Sequence, residues 1–308
     1  MWMAPLLLLT LACQSTTQGQ VEAYRPTGYE ASVEDWNSLA FEGDSTAQNM
    51  LGSQYYRGIG ADQDFEKAAA WYEKAANQGH ALGQYRLGIM YRDGLGVKRN
   101  SEESVAWFSR AADQELASAQ FALALMYLSG EGVYQDLTIG AEWMRAAATQ
   151  GMPEAQAQMG VLYSFGQGVP RDDFKAARWY QRAASQGYAP AQFSLGVALM
   201  RGAGVTRDDS AAARWLRQAA EQGIPASYGK IGMLYELGRG VVKDHITACM
   251  YYMIGEQLGH TPCVDQARRI QNQMEAFEVR ISGRLAEEWM AQHGQRPYLP
   301  TSATYVVQ

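Results

Sequence analysis

Ser227 and Lys230 stand three residues apart, a spacing that puts a hydroxyl and an amine one helical turn from each other. A serine so placed can act as a nucleophile with the lysine as its base. The sequence argues against that use here. Ser227 falls in a recurring column that also holds Ala47, Ala119, Ala155 and Ala191, so a small residue is already required. No K-T-G or S-D-N segment follows it. The histidines are His80, His245, His260 and His293, and no histidine pair joins the cysteines, whose own spacing is wrong for zinc. His80 and His260 share one repeat phase at a helix start and read as surface positions. The pairs Asp172-Asp173 and Asp208-Asp209 fall at expected helix N-termini, where carboxylates cap the helix and complement its dipole. Gly58-x-Gly60 and its copies lack the Lys-Ser/Thr of a phosphate loop, so they read as turns. These residues indicate no catalytic, cofactor or metal site.

The elements that hold them come from a repeat. Trp71, Trp107, Trp143, Trp179 and Trp215 lie 36 residues apart, and Tyr251 takes the next step. Gly58, Gly94, Gly130, Gly166, Gly202 and Gly238 form a second column, and Gly60, Gly96, Gly132, Gly168, Gly204 and Gly240 a third. Before each G-x-G come Leu51, Leu87, Leu123, Met159, Leu195 or Ile231, then Tyr55, Tyr91, Tyr127, Tyr163 or Tyr235, with Leu199 standing in once. After it comes Asp64, Asn100, Asp136, Asp172, Asp208 or Asp244. A fixed period of this length means stacked helical units, a solenoid rather than a globule.

Ala47, Leu51 and Tyr55 are four apart and share one helical face, helix A. The G-x-G allows a reversal with positive φ. Asp64 or Asn100 then caps helix B, and Asn100 with Glu103 spells a capping box. Trp71, Ala75 and Gln78 share the apolar face of helix B, and Gly79 is placed to stop it. The large indole is expected to fill the space between A and B. Six such hairpins run over 44–259 without insertion. An N-terminal capping helix is expected over 32–43 and capping helices over 260–293, with a loose tail at 294–308.

The chain has 308 residues, 47% hydrophobic and 19% charged, with a net charge of −6. That composition argues against disorder outside the ends. The lack of a Lys/Arg cluster argues against a nucleic-acid stripe and an anionic-membrane patch as well. Residues 4–12, APLLLLTLA, have signal-peptide length and are too short to span a bilayer. Cys13 follows at once, and the segment resembles a bacterial lipoprotein signal. That resemblance implies cleavage after residue 12, lipidation of Cys13 and a tether over 13–31. An ordinary cleaved signal is the alternative. The remaining cysteines, Cys249 and Cys263, fall in adjacent helices and are a candidate disulfide pair for an oxidising periplasm, with two buried thiols as the alternative.

The repeat resembles the Sel1-like repeat family, whose pattern is A-x-x-x-L-G-x-x-Y-x-x-G-x-G-V, an Asp, then A-x-x-W-x-x-x-A-A-x-x-G. Val97, Val133, Val169, Val205 and Val241 supply its valine. The resemblance implies an all-α fold, a right-handed α/α superhelix that acts as an adaptor, with bacterial members in the periplasm or on the outer membrane. The expected function is therefore a non-enzymatic scaffold in the cell envelope. Its partners are envelope proteins or peptide segments, it meets the membrane only through the lipid anchor, and it takes no cofactor, metal or nucleic acid. Scaffolds of this kind bind through helix-A columns that change from repeat to repeat. Those columns nominate Tyr85, Phe121 and Phe193 as aromatic anchors, with Arg86, Arg92, Gln158 and Met200 beside them. The alternative for the aromatics is that they fill seams between repeats. Two other functions stay open: a peptidoglycan- or β-lactam-binding or hydrolysing protein using Ser227 and Lys230, and a cytosolic regulatory adaptor.

Overall fold

A computed structural model describes residues 33–293. The proposed signal, Cys13, the tether and the tail at 294–308 lie outside the described residues. Fifteen helices fill the described chain: α1 (Val33–Glu42), α2 (Ser45–Arg57), α3 (Phe65–Asn77), α4 (Ala81–Asp93), α5 (Ser101–Ala112), α6 (Ala117–Ser129), α7 (Leu137–Thr149), α8 (Pro153–Phe165), α9 (Asp173–Ser185), α10 (Ala189–Arg201), α11 (Asp209–Glu221), α12 (Pro225–Leu237), α13 (His245–Gln257), α14 (Thr261–Gln271) and α15 (Ala276–His293). The chain is an α/α solenoid in which α2, α4, α6, α10 and α12 each pair with the helix after it, and α8 meets α9 through Gly160 and Ser164 against Tyr180. It divides into two compact units. One holds residues 33–155 and 167–170, the other 156–166 and 171–293.

Each hairpin turn is closed in the same way. The first glycine ends helix A in the left-handed region, as Gly58 does at φ +68. The Asp or Asn then caps helix B. Asp64 accepts from Lys67 N, and Asn100 from the amides of Glu102 and Glu103. The capping box expected at Asn100 and Glu103 forms only in this half. The Asn100 amide donates instead to Tyr91 O at 2.8 Å. Asp64, Asp136, Asp172, Asp208 and Asp244 make the matching bond to Tyr55, Tyr127, Tyr163, Leu199 and Tyr235. The acceptor is a backbone carbonyl, which is why leucine serves as well as tyrosine at that position.

The tryptophan column is not the centre of the packing. Trp71 and Trp107 are nearly buried, while Trp143, Trp179 and Trp215 stay partly exposed. Lys74, Arg110 and Arg182, each one turn on, lie over the indoles of Trp71, Trp107 and Trp179. The next residue goes deeper. Tyr72, Phe108, Met144, Tyr180, Leu216 and Tyr252 are all buried. Five of them press on a glycine of helix A: Gly52, Gly88, Gly160, Gly196 and Gly232. A methyl group on Gly88 would stand 2.6 Å from the Phe108 ring. Helix B thus seats a large side chain directly on the backbone of helix A.

Polar side chains run beside this core. In the first unit Gln48, Gln84 and Gln120 donate to Ala40 O, Ala76 O and Ala112 O. Gln78, Gln114 and Gln150 donate in turn to the Oε1 atoms of those glutamines, each at 2.8 Å. In the second unit Gln186 and Gln222 donate to Gln156 and Gln192, and Gln192 donates to Ala184 O. At Tyr228 the series changes chemistry, and its hydroxyl donates to Ala220 O at 2.6 Å. These bonds satisfy the buried amides; those to alanine carbonyls link successive hairpins within each unit, and the glutamine pairs close each hairpin on itself.

Glu115 follows one of these glutamines at φ +61, where the other repeats have glycine. Among the described residues it alone has positive φ without being glycine. Glu115→Gly is expected to raise stability by about 1 kcal/mol, read as a higher melting temperature, because it removes left-handed strain.

Candidate functional site

The candidate binding residues are best taken unit by unit. In the first unit Tyr85, Arg86, Arg92 and Phe121 are buried. Tyr85 packs its ring on Phe108, with centroids 5.6 Å apart. Arg86 reaches from α4 to α2. Its Nη1 donates to Asn49 O at 3.3 Å, to Asn49 Oδ1 at 3.0 Å and to Ser53 Oγ. The Tyr72 ring lies beside the guanidinium, 5.6 Å from its centroid. Arg92 forms a two-pronged pair with its neighbour Asp93, at 2.7 and 2.9 Å. In the second unit Met200 is buried and Phe193 partly buried in one apolar cluster, while Gln158 is partly exposed. The structure therefore brings Tyr85 and Arg86 together on α4, and Phe193 and Met200 together on α10. The aromatics Tyr85 and Phe193 fill seams.

A column that varies along the sequence can be a surface or a seam. The helix-A columns, chosen for their variation, led mostly into the interior. The apolar side chains that reach furthest into solvent lie elsewhere. Tyr134 is 97% exposed and Val242 86% exposed. Both occupy one position in the turn after the G-x-G, where the other repeats carry Asp62, Lys98, Pro170 and Thr206. That column also varies, and the loop setting was its only further signal.

The chemistry-bearing residues are absorbed by the scaffold. Ser227 Oγ is buried without a hydrogen-bond partner, so Lys230 does not activate it. His80 and His260 are partly exposed. His80 is a cap: its Nδ1 accepts from Gly83 N at 3.0 Å. Burial pushes its pKa below the usual histidine value, and nearby Arg86 adds to this. The cap needs a neutral ring. Since the folded pKa lies below the unfolded one, this stability is full above about pH 6.5 and is lost as pH falls through the folded value. His80→Asn keeps a capping side chain and removes the titration. Its melting temperature is expected to fall less than that of the parent between pH 7.5 and 5, by thermal denaturation across that series.

Cys249 and Cys263 are both buried and unbonded, so the candidate disulfide is not formed. The geometry gives the reason. A methyl on Gly255 would lie 2.4 Å from Cys263 Sγ, so residues 255 and 263 face each other across α13 and α14. Cys249 is six residues earlier in α13, about 9 Å away at the helical rise. A bond across that offset requires backbone movement. Cys263 Sγ lies instead 3.1 Å from His260 Nδ1, and burial pushes its pKa up to about 12. Burial raises Cys249 too. Both thiols are expected to be silent to a thiol reagent in the folded protein and to titrate fully in denaturant without reductant.

Among the described residues no cluster of His, Cys, Asp and Glu is arranged to hold a metal ion, and no helix is long and apolar enough to cross a membrane. Comparison with known proteins places these features. The Sel1 repeat profile matches six consecutive stretches, 45–80, 81–116, 117–152, 153–188, 189–224 and 225–260. No curated protein matches the chain. Among solved structures, a Sel1 repeat protein from Oxalobacter formigenes is 28% identical with a TM-score of 0.62, covering 72% of this chain and 92% of its own. The protein c5321, a protective antigen of uropathogenic Escherichia coli strains with an SLR fold, is 24% identical with a TM-score of 0.45, covering 85% of this chain and 79% of its own. A putative Sel1 repeat protein from Klebsiella pneumoniae is 18% identical with a TM-score of 0.42, covering 66% and 99%.

Proposed function

The chain belongs to the Sel1 repeat family, and from that premise we propose that it is a non-enzymatic, protein-binding scaffold of the bacterial cell envelope. Sel1 repeat proteins generally act as protein-interaction scaffolds. The observation that carries the reading is the six uninterrupted repeats, which devote residues 45–260 to a stacked surface. Repeats of this kind offer a large area for a partner without any one side chain doing chemistry. The envelope address rests on APLLLLTLA followed by Cys13, with lipid on that cysteine and the outer membrane as the destination. Binding is assigned to the helix-A side, where Gln158 and Phe193 keep some exposure in the second unit, while the other nominated residues, Tyr85, Arg86, Arg92, Phe121 and Met200, are buried and shape that side from beneath.

Crosslinking in intact cells followed by mass spectrometry tests the scaffold. Reproducible capture of one or a few envelope proteins supports it, and capture of none above background overturns it. Metabolic palmitate labelling tests the anchor. Label that disappears in Cys13→Ala supports it, and an unlabelled parent chain removes the lipid from the reading.

A further inference from the structure

Arg86 is 4% exposed, and an arginine keeps its proton in proteins. The groups that receive its hydrogen bonds, Asn49, Ser53 and Tyr72, are all neutral. Among the described residues no Asp or Glu forms an ion pair with it, whereas Arg92 on the same helix has Asp93. The charged side chain within electrostatic reach is Arg57, which is positive and, with burial, works against the charge on Arg86. A buried cation is costly unless an anion meets it. A strut between α2 and α4 needs no charge, since a glutamine amide makes hydrogen bonds to the same acceptors without the desolvation cost. The bonds of Arg86 to α2 use Nη1 alone. A guanidinium fork presents a two-donor edge that matches a carboxylate. Tyr56 and Arg57, at the C-terminal end of α2, are partly exposed beside this cluster.

We propose that Arg86, held by Asn49 and Ser53, is the seat of a carboxylate-binding site in the first unit, which takes an acidic side chain or a C-terminal carboxylate of a partner polypeptide. The proposal rests on the scaffold reading above and adds the chemistry of the partner. Arg86 supplies the charge. Asn49 and Ser53 fix the plane of the guanidinium so that little freedom is lost on binding. The ring of Tyr72 covers one side, and Arg57 adds to the positive field that draws an anion in.

Three hexapeptides of glycine and serine serve as probes. One carries a central glutamate with both ends blocked. The second is its blocked glutamine twin. The third is the glutamine twin with a free C-terminal carboxylate. Each is titrated into the full chain and followed on the Arg86 guanidinium resonance by nitrogen NMR. At least one carboxylate peptide is expected to bind tenfold or more tightly than the neutral twin, and which one does so identifies the source of the carboxylate. Asn49→Asp places a carboxylate where Asn49 Oδ1 now lies, 3.0 Å from Nη1. It is expected to abolish the discrimination while the melting temperature stays the same or rises, so lost binding is not lost fold. Arg86→Gln is expected to lose the same tenfold. Equal binding of charged and neutral probes overturns the proposal, as does discrimination that survives Asn49→Asp. Crosslinking separates the two readings. The same partners captured from parent and Asn49→Asp cells remove the carboxylate site and leave the scaffold standing, whereas no capture from the parent removes the scaffold.

Discussion

Gly96→Ala is expected to cost about 4 kcal/mol of stability, while Gly79→Ala costs about 1–2 kcal/mol. Both glycines sit in the left-handed region, at φ +66 and +84. Both substitutions therefore carry the same backbone penalty. They differ in space. A methyl on Gly96 would stand 2.0 Å from Phe65 O and 2.2 Å from Phe65 C, at the first residue of α3 in the preceding hairpin. Nothing lies within 4 Å of a methyl on Gly79. The clash at Gly96 is with main chain, so no rotamer relieves it, and the two hairpins must separate. Urea denaturation of the two variants measures the difference. Equal costs would mean that the second glycine of the turn is kept only for its φ, and that the close approach between hairpins is not needed.

Phe108→Ala is expected to cost about 3–5 kcal/mol, and Trp143→Ala about 2 kcal/mol. The first ring is fully buried on Gly88, whereas the second is partly exposed. Thermal melts of the two variants test the ranking, and a larger loss at Trp143 would return the tryptophan column to the centre of the core. The third repeat supplies a natural control. It has Ala124 where the others have glycine, and Met144 where they have a ring or leucine. A flexible thioether can move away from the added methyl. Gly88→Ala alone is therefore expected to cost about 1–3 kcal/mol, and Phe108→Met to recover part of that loss. A double-mutant cycle with a coupling of about 1 kcal/mol or more confirms the pairing, and simple additivity refutes it.

The fold was legible because its signals recur in register. Columns such as Gly58, Asp64 and Trp71 each repeat every 36 residues, and glycine and aspartate have narrow physical uses at turns and caps. Depth was not legible in the same way. The constancy of Trp71 and its copies suggested the core, yet Tyr72 and its copies, which change from tyrosine to phenylalanine, methionine and leucine, lie deeper. They vary because each fits the opposite face of its own hairpin. The same reasoning weakens variation as a guide to a binding surface: Tyr85 and Arg86 change along their columns and are both interior. Arg86 shows the limit most clearly. Its charge is plain in the sequence, but the neutrality of Asn49, Ser53 and Tyr72 around it appears only when α2, α3 and α4 are brought together. The cysteines fail for a geometric reason. Adjacent helices suggested a pair, and the axial offset along α13 separates them.

The glutamine series has a direction, and it sets the sixth repeat apart from the others. In each rung the later glutamine donates and the earlier one accepts, as Gln78 does to Gln48 and Gln222 to Gln192. An interior repeat carries both halves of the rung, so a copy inserted beside it brings its own donor and acceptor. The sixth repeat carries neither. Tyr228 stands in the acceptor column and Leu258 in the donor column. The Tyr228 hydroxyl satisfies Ala220 O, and nothing at 258 can continue the series. The first five repeats thus each close on their own glutamine rung, and the sixth closes without one, keeping only the bond to the backbone carbonyl of Ala220 in its neighbour.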